Sequence, residues 1–282
     1  MPHLLLNTLA LDPNRWTPKK HPYYRLDTLL PSIAEAGFRG IELWQYHISR
    51  ARKAEVERLH DQAEALGLRV PIVGMYPRLH LHGLARRAAW DEVKRMFEYA
   101  ALLRTAIVKI FVGSKGTDQH TDAEYDRALA FLSDMTALAT SHGLTITGEL
   151  HPNTLFDSLD ACRRVRAAVP SDTFKICFQP YDFADTPQAL ADYEALHRDV
   201  VHVHYQGRRS GALTHLEDAD LDYDAFTGHL ATHGFEGYLC IELVKDCIVD
   251  DPADFDLDLV LKHAQQDRDF VLRTAARWGM ML

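Results

Sequence analysis

Apolar residues come in two alternating textures along this chain. One is the short unbroken run rich in Val, Ile, Leu and Phe, of the kind that fills a buried strand. The other is the stripe that returns every third or fourth position, as on one face of a helix. Runs occupy residues 3–9, 40–44, 70–76, 106–112, 145–150, 174–178, 200–205 and 238–244. Between them, stripes predict helices over 26–36, 50–66, 87–103, 122–141, 158–168, 187–197, 222–232 and 256–277. Gly37, Gly67, Gly143, Pro170 and Gly234 stand where several of these helices must stop. Strand and helix thus alternate eight times, which predicts a parallel sheet wrapped by helices. Eight units imply closure, so the expected fold is α/β, a single (β/α)8 TIM barrel spanning residues 1–282 as one domain. A doubly wound open sheet is the alternative, but no GxGxxG follows the first strand.

Composition adds bounds. The length of 282 residues suits a barrel of about 250 residues with some loop growth. Hydrophobic residues make up 47% and charged residues 25%, a globular profile with ample core material. The net charge of −9, without a Lys/Arg block, argues against nucleic acid as a partner. No apolar run is long enough to span a membrane, and the N-terminal one is too short for an export signal. Four cysteines lack CxxC spacing, so reduced thiols in a cytoplasmic protein are expected. Homo-oligomerisation is left open.

Four runs end in a polar group. Glu149 closes the fifth, Gln179 follows the sixth, His204 closes the seventh and Glu242 lies in the eighth. In a parallel barrel all strand C-termini share one face, so two carboxylates, an imidazole and an amide should meet there. That set suits a divalent cation such as Mn, Mg, Co or Zn. The structural alternative is that Glu149 is a core acid paired with Lys109 of the fourth strand. Further candidates for substrate contact are His151, Asp182, Arg208, Lys109, Glu42 and Trp44; all but Asp182 have a plain packing, surface or ion-pair alternative. His202 shares the side of His204 and is expected to support it.

Three stretches resemble the xylose isomerase-like barrel family of sugar isomerases and epimerases, which also has a branch of abasic-site endonucleases. They are Gly148-Glu149-Leu150-His151, Val201-His202-Val203-His204 and Gly234-Phe235-Glu236-Gly237-Tyr238-Leu239-Cys240-Ile241-Glu242. The resemblance implies Glu149, His204 and Glu242 as metal ligands, with the two glutamates doubling as the acid/base pair. It implies an Asp ligand on the sixth strand and a His three residues later; here Gln179 and Asp182 stand in those places. It further implies an enzyme acting on a small sugar or polyol. The expected reaction is isomerisation or epimerisation of a sugar or sugar phosphate, by proton transfer between Glu149 and Glu242 through an enediolate. The Gln179 and Asp182 departures keep two alternatives in play. One is a lyase or dehydratase acting on a cyclic polyol or sugar conjugate. The other is a non-catalytic, sugar-binding barrel subunit.

Overall fold

The computed structural model describes residues 3–18, 20–181 and 184–282. Its barrel strands are β1 (His3–Asn7), β2 (Gly40–Trp44), β3 (Arg69–Met75), β4 (Ile107–Phe111), β5 (Thr145–Glu149), β6 (Phe174–Phe178), β7 (Val200–Gln206) and β10 (Tyr238–Leu243). They close in the order β1-β10-β7-β6-β5-β4-β3-β2, every pairing parallel. The crossovers are α1 (Leu26–Glu35), α2 (Lys53–Ala65), α3 (Gly83–Leu102), α4 (Asp122–Ser141), α5 (Leu159–Ala168), α6 (Thr186–Leu196) and α7 (Tyr223–Thr232), and α8 (Leu257–Arg277) follows β10. This is the (β/α)8 barrel that the alternating textures predict.

Two separate interiors result. The larger lies between strands and helices, where Leu30, Ile33, Val56, Met96, Phe97, Phe131, Leu132 and Val271 are fully buried. The smaller lies inside the strand cylinder. Its floor is apolar, built from Leu5, Ile72, Ile107 and Cys240. Above that floor the inward positions turn polar: Glu42, Lys109, Thr147, Glu149, His202 and His204 are all buried. A cylinder stacks its inward side chains in layers, so this change of chemistry lies between the floor and the C-terminal mouth.

Boundaries differ from the sequence pattern where burial is one-sided. Helix α3 begins at Gly83 rather than 87, because its first turn is exposed and carries no apolar stripe; Leu84 lies in solvent. The connection left between the run at 70–76 and the helix predicted from 87 is correspondingly shorter. The first strand ends at Asn7 rather than 9: the Asn7 side chain accepts from the Leu9 amide at 2.9 Å and turns the chain into a 3-10 segment, Thr8–Leu11. After β7 the chain forms a small antiparallel hairpin, β8 (Arg208–Arg209) with β9 (Ala212–Leu213), that the apolar pattern does not mark. Its turn residues Ser210 and Gly211 both have positive φ. All four cysteines are free and buried. Among the described residues, no helix is long and apolar enough to cross a membrane.

Candidate active site

The β-register brings the polar residues to one level. Glu149 on β5 faces Cys177 on β6, Cys177 faces His202 on β7, and His204 faces Cys240 on β10. Alternation along each strand then aims Glu149, His204 and Glu242 into the cylinder. One ligand atom from each lies within 4.8 Å of the others. His204 Nδ1 is 3.8 Å from Glu149 Oε1 and 3.5 Å from Glu242 Oε2. The other ring nitrogen, Nε2, meets Glu42 Oε2 at 2.9 Å. Glu42 thereby holds the imidazole so that Nδ1 faces the mouth, the arrangement in which a carboxylate orients a metal-binding histidine.

Gln179 sits against this group. When its amide nitrogen faces inward it donates to Glu242 Oε2 at 2.8 Å and to Glu149 Oε1 at 3.2 Å, with His204 Nδ1 at 2.9 Å. Turned the other way, its oxygen lies 2.9 Å from His204 Nδ1. The side chain thus either clamps the two carboxylates together or presents an oxygen beside the imidazole.

Lys109 is buried below them. Its Nζ donates to Glu149 Oε2 at 2.6 Å and lies 3.4 Å from Glu42 Oε1, and it also lies 5.2 Å from the ring centroids of Tyr76 and Phe111. Room for the Lys109 stem comes from Gly74 on β3, where a Cβ would stand 3.3 Å from Lys109 Cε and 3.1 Å from Glu42 Oε1. The pairing of Lys109 with Glu149 is the structural alternative of the sequence reading, and it coexists with the clustering of Glu149, His204 and Glu242.

The charges interact strongly. Burial alone would raise the Glu42 carboxyl, but His204, Lys109 and His202 outweigh it and hold it well below the usual range. Burial would depress Lys109, yet Glu149, Glu42 and Glu242 keep it well above. His204 is pulled down by burial and pushed further up by its surroundings, to well above its ordinary value. Cys177 beside it stays a neutral thiol, pushed by burial to about 12, so the carboxylates Glu42, Glu242 and Glu149 drive that rise. His202, by contrast, is lowered by burial to about 4 and is neutral. The two glutamates move apart: burial raises Glu149 despite Lys109, whereas His204 and Lys109 lower Glu242 despite its burial.

Above the cluster opens a cavity of about 210 Å³, lined among others by Trp44, Tyr46, Tyr76, Phe111, His151, Tyr181, Gln179, Arg208 and Glu242. Of the expected contact residues, Trp44, His151 and Arg208 line it. His151 stacks on Phe111 with centroids 4.3 Å apart, and its Nδ1 is 2.6 Å from the Pro152 carbonyl. Arg208 donates to the Gly211 carbonyl at 2.9 Å and reaches the Gln206 amide oxygen. Glu42 and Lys109 do not line the cavity; they lie beneath it, fully buried in ion pairs, because their strand positions are one layer deeper. Both therefore sit in the ion pairs that the sequence reading gave as their alternative to substrate contact. Asp182 falls outside the described residues. His202 supports His204 through a shared partner: its Nε2 is 3.1 Å from Glu42 Oε2.

The segment after β1 also reaches the cavity, through Leu9, Arg15, Trp16 and Lys20. In the sequence it falls between the first apolar run and the first helical stripe and carries no pattern of its own. Its prolines and charges carry no periodicity, and nothing in the sequence marks Arg15 as buried.

A family described as xylose isomerase-like TIM barrel matches residues 30–266. The chain is 22% identical over 213 residues to a 3-dehydroshikimate dehydratase of Bacillus anthracis, covering 73% of this chain and 75% of that one. Its structure is similar to that of an L-ribulose 3-epimerase, with TM-score 0.76, 18% identity and coverage of 99% and 97% of the two chains. It is also similar to a xylose isomerase-like TIM barrel protein from Mycobacterium smegmatis in complex with magnesium, with TM-score 0.72, 14% identity and coverage of 99% and 98%. At these identities the two structures establish shared architecture.

Proposed function

The chain belongs to the xylose isomerase-like TIM barrel family, and from that premise we propose that it is a metal-dependent isomerase or epimerase of a small sugar or polyol. The observation that carries the reading is the meeting of Glu149, His204 and Glu242, donor atoms within 4.8 Å of one another, at the C-terminal mouth of the cylinder. The donor set fits a divalent cation: two carboxylates, the His204 Nδ1 held in place through Glu42, and the Gln179 amide oxygen when it turns inward. A divalent ion held there by Glu149, His204, Glu242 and Gln179 would supply Lewis-acid chemistry toward a substrate carbonyl.

The chain's own groups do the rest. Glu242, lowered and open to the cavity, is suited to take a proton from the carbon next to the carbonyl. Glu149, raised and on β5, with β7 and β6 between it and β10, is suited to return one. His204 lies between the two carboxylates with Nδ1 toward both, and Glu42 holds it there through Nε2. Lys109 holds Glu149 from below, and the Trp44, Tyr46 and Tyr76 wall limits water around the reacting carbon.

The test is metal analysis of the purified protein followed by incubation in heavy water with a panel of ketoses and cyclic polyols. Solvent deuterium should enter at a carbon next to a carbonyl. Glu149→Gln and Glu242→Gln should each cut that exchange by roughly 10²–10⁴-fold. Undiminished exchange in both variants overturns the acid/base assignment. A dehydratase is the second reading, favoured by the dehydratase relative. The same abstraction would then expel a hydroxide as water, and a new unsaturated absorbance would accompany or replace the exchange.

A further inference from the structure

We propose that the substrate carries an anionic group, a carboxylate or a phosphate monoester, held at the cavity wall by Arg15, Lys20 and Arg208. This rests on the reading above only for which cavity takes the substrate.

Arg15 is the central observation. Its guanidinium is fully buried, yet no carboxylate is bonded to it. It donates only to the backbone carbonyls of Asp12 and Cys247, and its Nε has no partner. Asp12, the nearest acid in sequence, spends its oxygens on the backbone amides of Asn14 and Tyr23, each at 2.8 Å. Asp12 offsets part of the charge through its field without bonding to the guanidinium, and a buried cation whose bonds go to carbonyls is expensive unless a further counter-charge arrives. The other acid whose field reaches it is Glu242, which a divalent ion would neutralise.

The neighbouring groups repeat the sign. Lys20 lines the same cavity, and its Nζ donates to the Arg15 carbonyl at 2.5 Å, which draws the loop over the mouth. Arg208 lines it from the β8 hairpin, its guanidinium fixed by the Gly211 carbonyl. Among the described residues that line the cavity, Glu242 is the only acidic side chain, against these three cations. In a protein of net charge −9 this is a local inversion. The cavity of about 210 Å³ admits one small ring with a single anionic substituent and excludes a nucleotide. Trp16, 57% exposed, stands at the rim beside Arg15 and Lys20 and would cover such a ligand.

The test uses matched pairs on the metal-loaded full-length protein by calorimetric titration: myo-inositol against quinate, and fructose against fructose 6-phosphate. The anionic member of at least one pair should bind about tenfold or more tightly than its neutral partner, and the better pair distinguishes carboxylate from phosphate. Lys20→Met, Arg208→Met and Arg15→Lys should each pull that ratio toward one. Arg15→Met is informative only if circular dichroism shows it folded, which is why Arg15→Lys is included. A purely structural Arg15 would lower the melting temperature and weaken both members of a pair alike, leaving the ratio intact. Equal binding within both pairs, or a ratio that survives all three substitutions, overturns the proposal. Deuterium exchange with neutral sugars but without anion preference would sink this subsite and leave the proposed reaction standing; preference without exchange would do the reverse.

Discussion

Lys109 is the residue on which the buried charge balance turns. It is the cation between Glu149 and Glu42, neither of which reaches solvent. Lys109→Met keeps most of the stem volume but strands both carboxylates, and unfolding in urea should show a loss of about 3–5 kcal/mol. Adding Glu149→Gln should recover part of that loss; no loss in the single variant would mean that the ion pair contributes nothing. Gln179 supplies a second residue-scale expectation. Gln179→Asp adds a negative charge beside Glu149 and Glu242, where the amide now donates. The variant should melt lower than the native chain in chelator and gain more from added Mn²⁺, so the melting difference between the two conditions should widen.

Helices and strands show what the sequence could and could not reveal. The run Gly234 to Glu242 announces β10 because its two glycines are each demanded: Gly234 by its φ of +66° at the end of α7, and Gly237 by packing, where a Cβ would stand 2.1 Å from the Val201 carbonyl oxygen on β7. Gly237→Ala should therefore cost about 1–3 kcal/mol by overpacking, read as a lowered urea midpoint. The Glu149, His204 and Glu242 cluster was equally legible, since each residue closes or interrupts an apolar run. Burial depth along a strand was not. Glu42 and Trp44 both face inward on β2, yet Trp44 lines the cavity and Glu42 lies below it; that layer assignment depends on strand register, which no single strand encodes. The Arg15 loop escaped for a related reason, because its partner is the Cys247 carbonyl 232 residues away. Helix α8 offers a pH test. Asp267 accepts from the Leu216 amide at 3.0 Å, and burial raises its carboxyl to about 7. The folded chain thus keeps a proton that the unfolded chain releases near pH 3.8. Stability from this group is full below that pH and is lost as pH climbs toward 7. Asp267→Asn should gain on the order of 1–3 kcal/mol over the native chain at pH 8 and little at pH 4, measured by melting at both.

At the scale of the whole molecule Glu149, His204 and Glu242 all come from the second half of the sequence, while the acid that orients His204, Glu42, comes from the first, and they meet only across the closed ring. A cation bound by the native cluster and not by the unfolded chain should stabilise the entire barrel, by about 2.7 kcal/mol at a hundredfold excess over its dissociation constant. Titrating Mn²⁺ or Mg²⁺ into chelated protein while following thermal unfolding checks this; an unmoved transition would count against a cation at Glu149, His204 and Glu242. The hydrogen bond between Glu42 and His204 joins positions 162 residues apart. While the ribosome is still adding β7, the first half of the chain already carries an acid with no imidazole to orient, so a stalled or clipped product stays inert instead of becoming a sluggish, unselective catalyst. Turnover is then an all-or-none report that the last staves have been fitted.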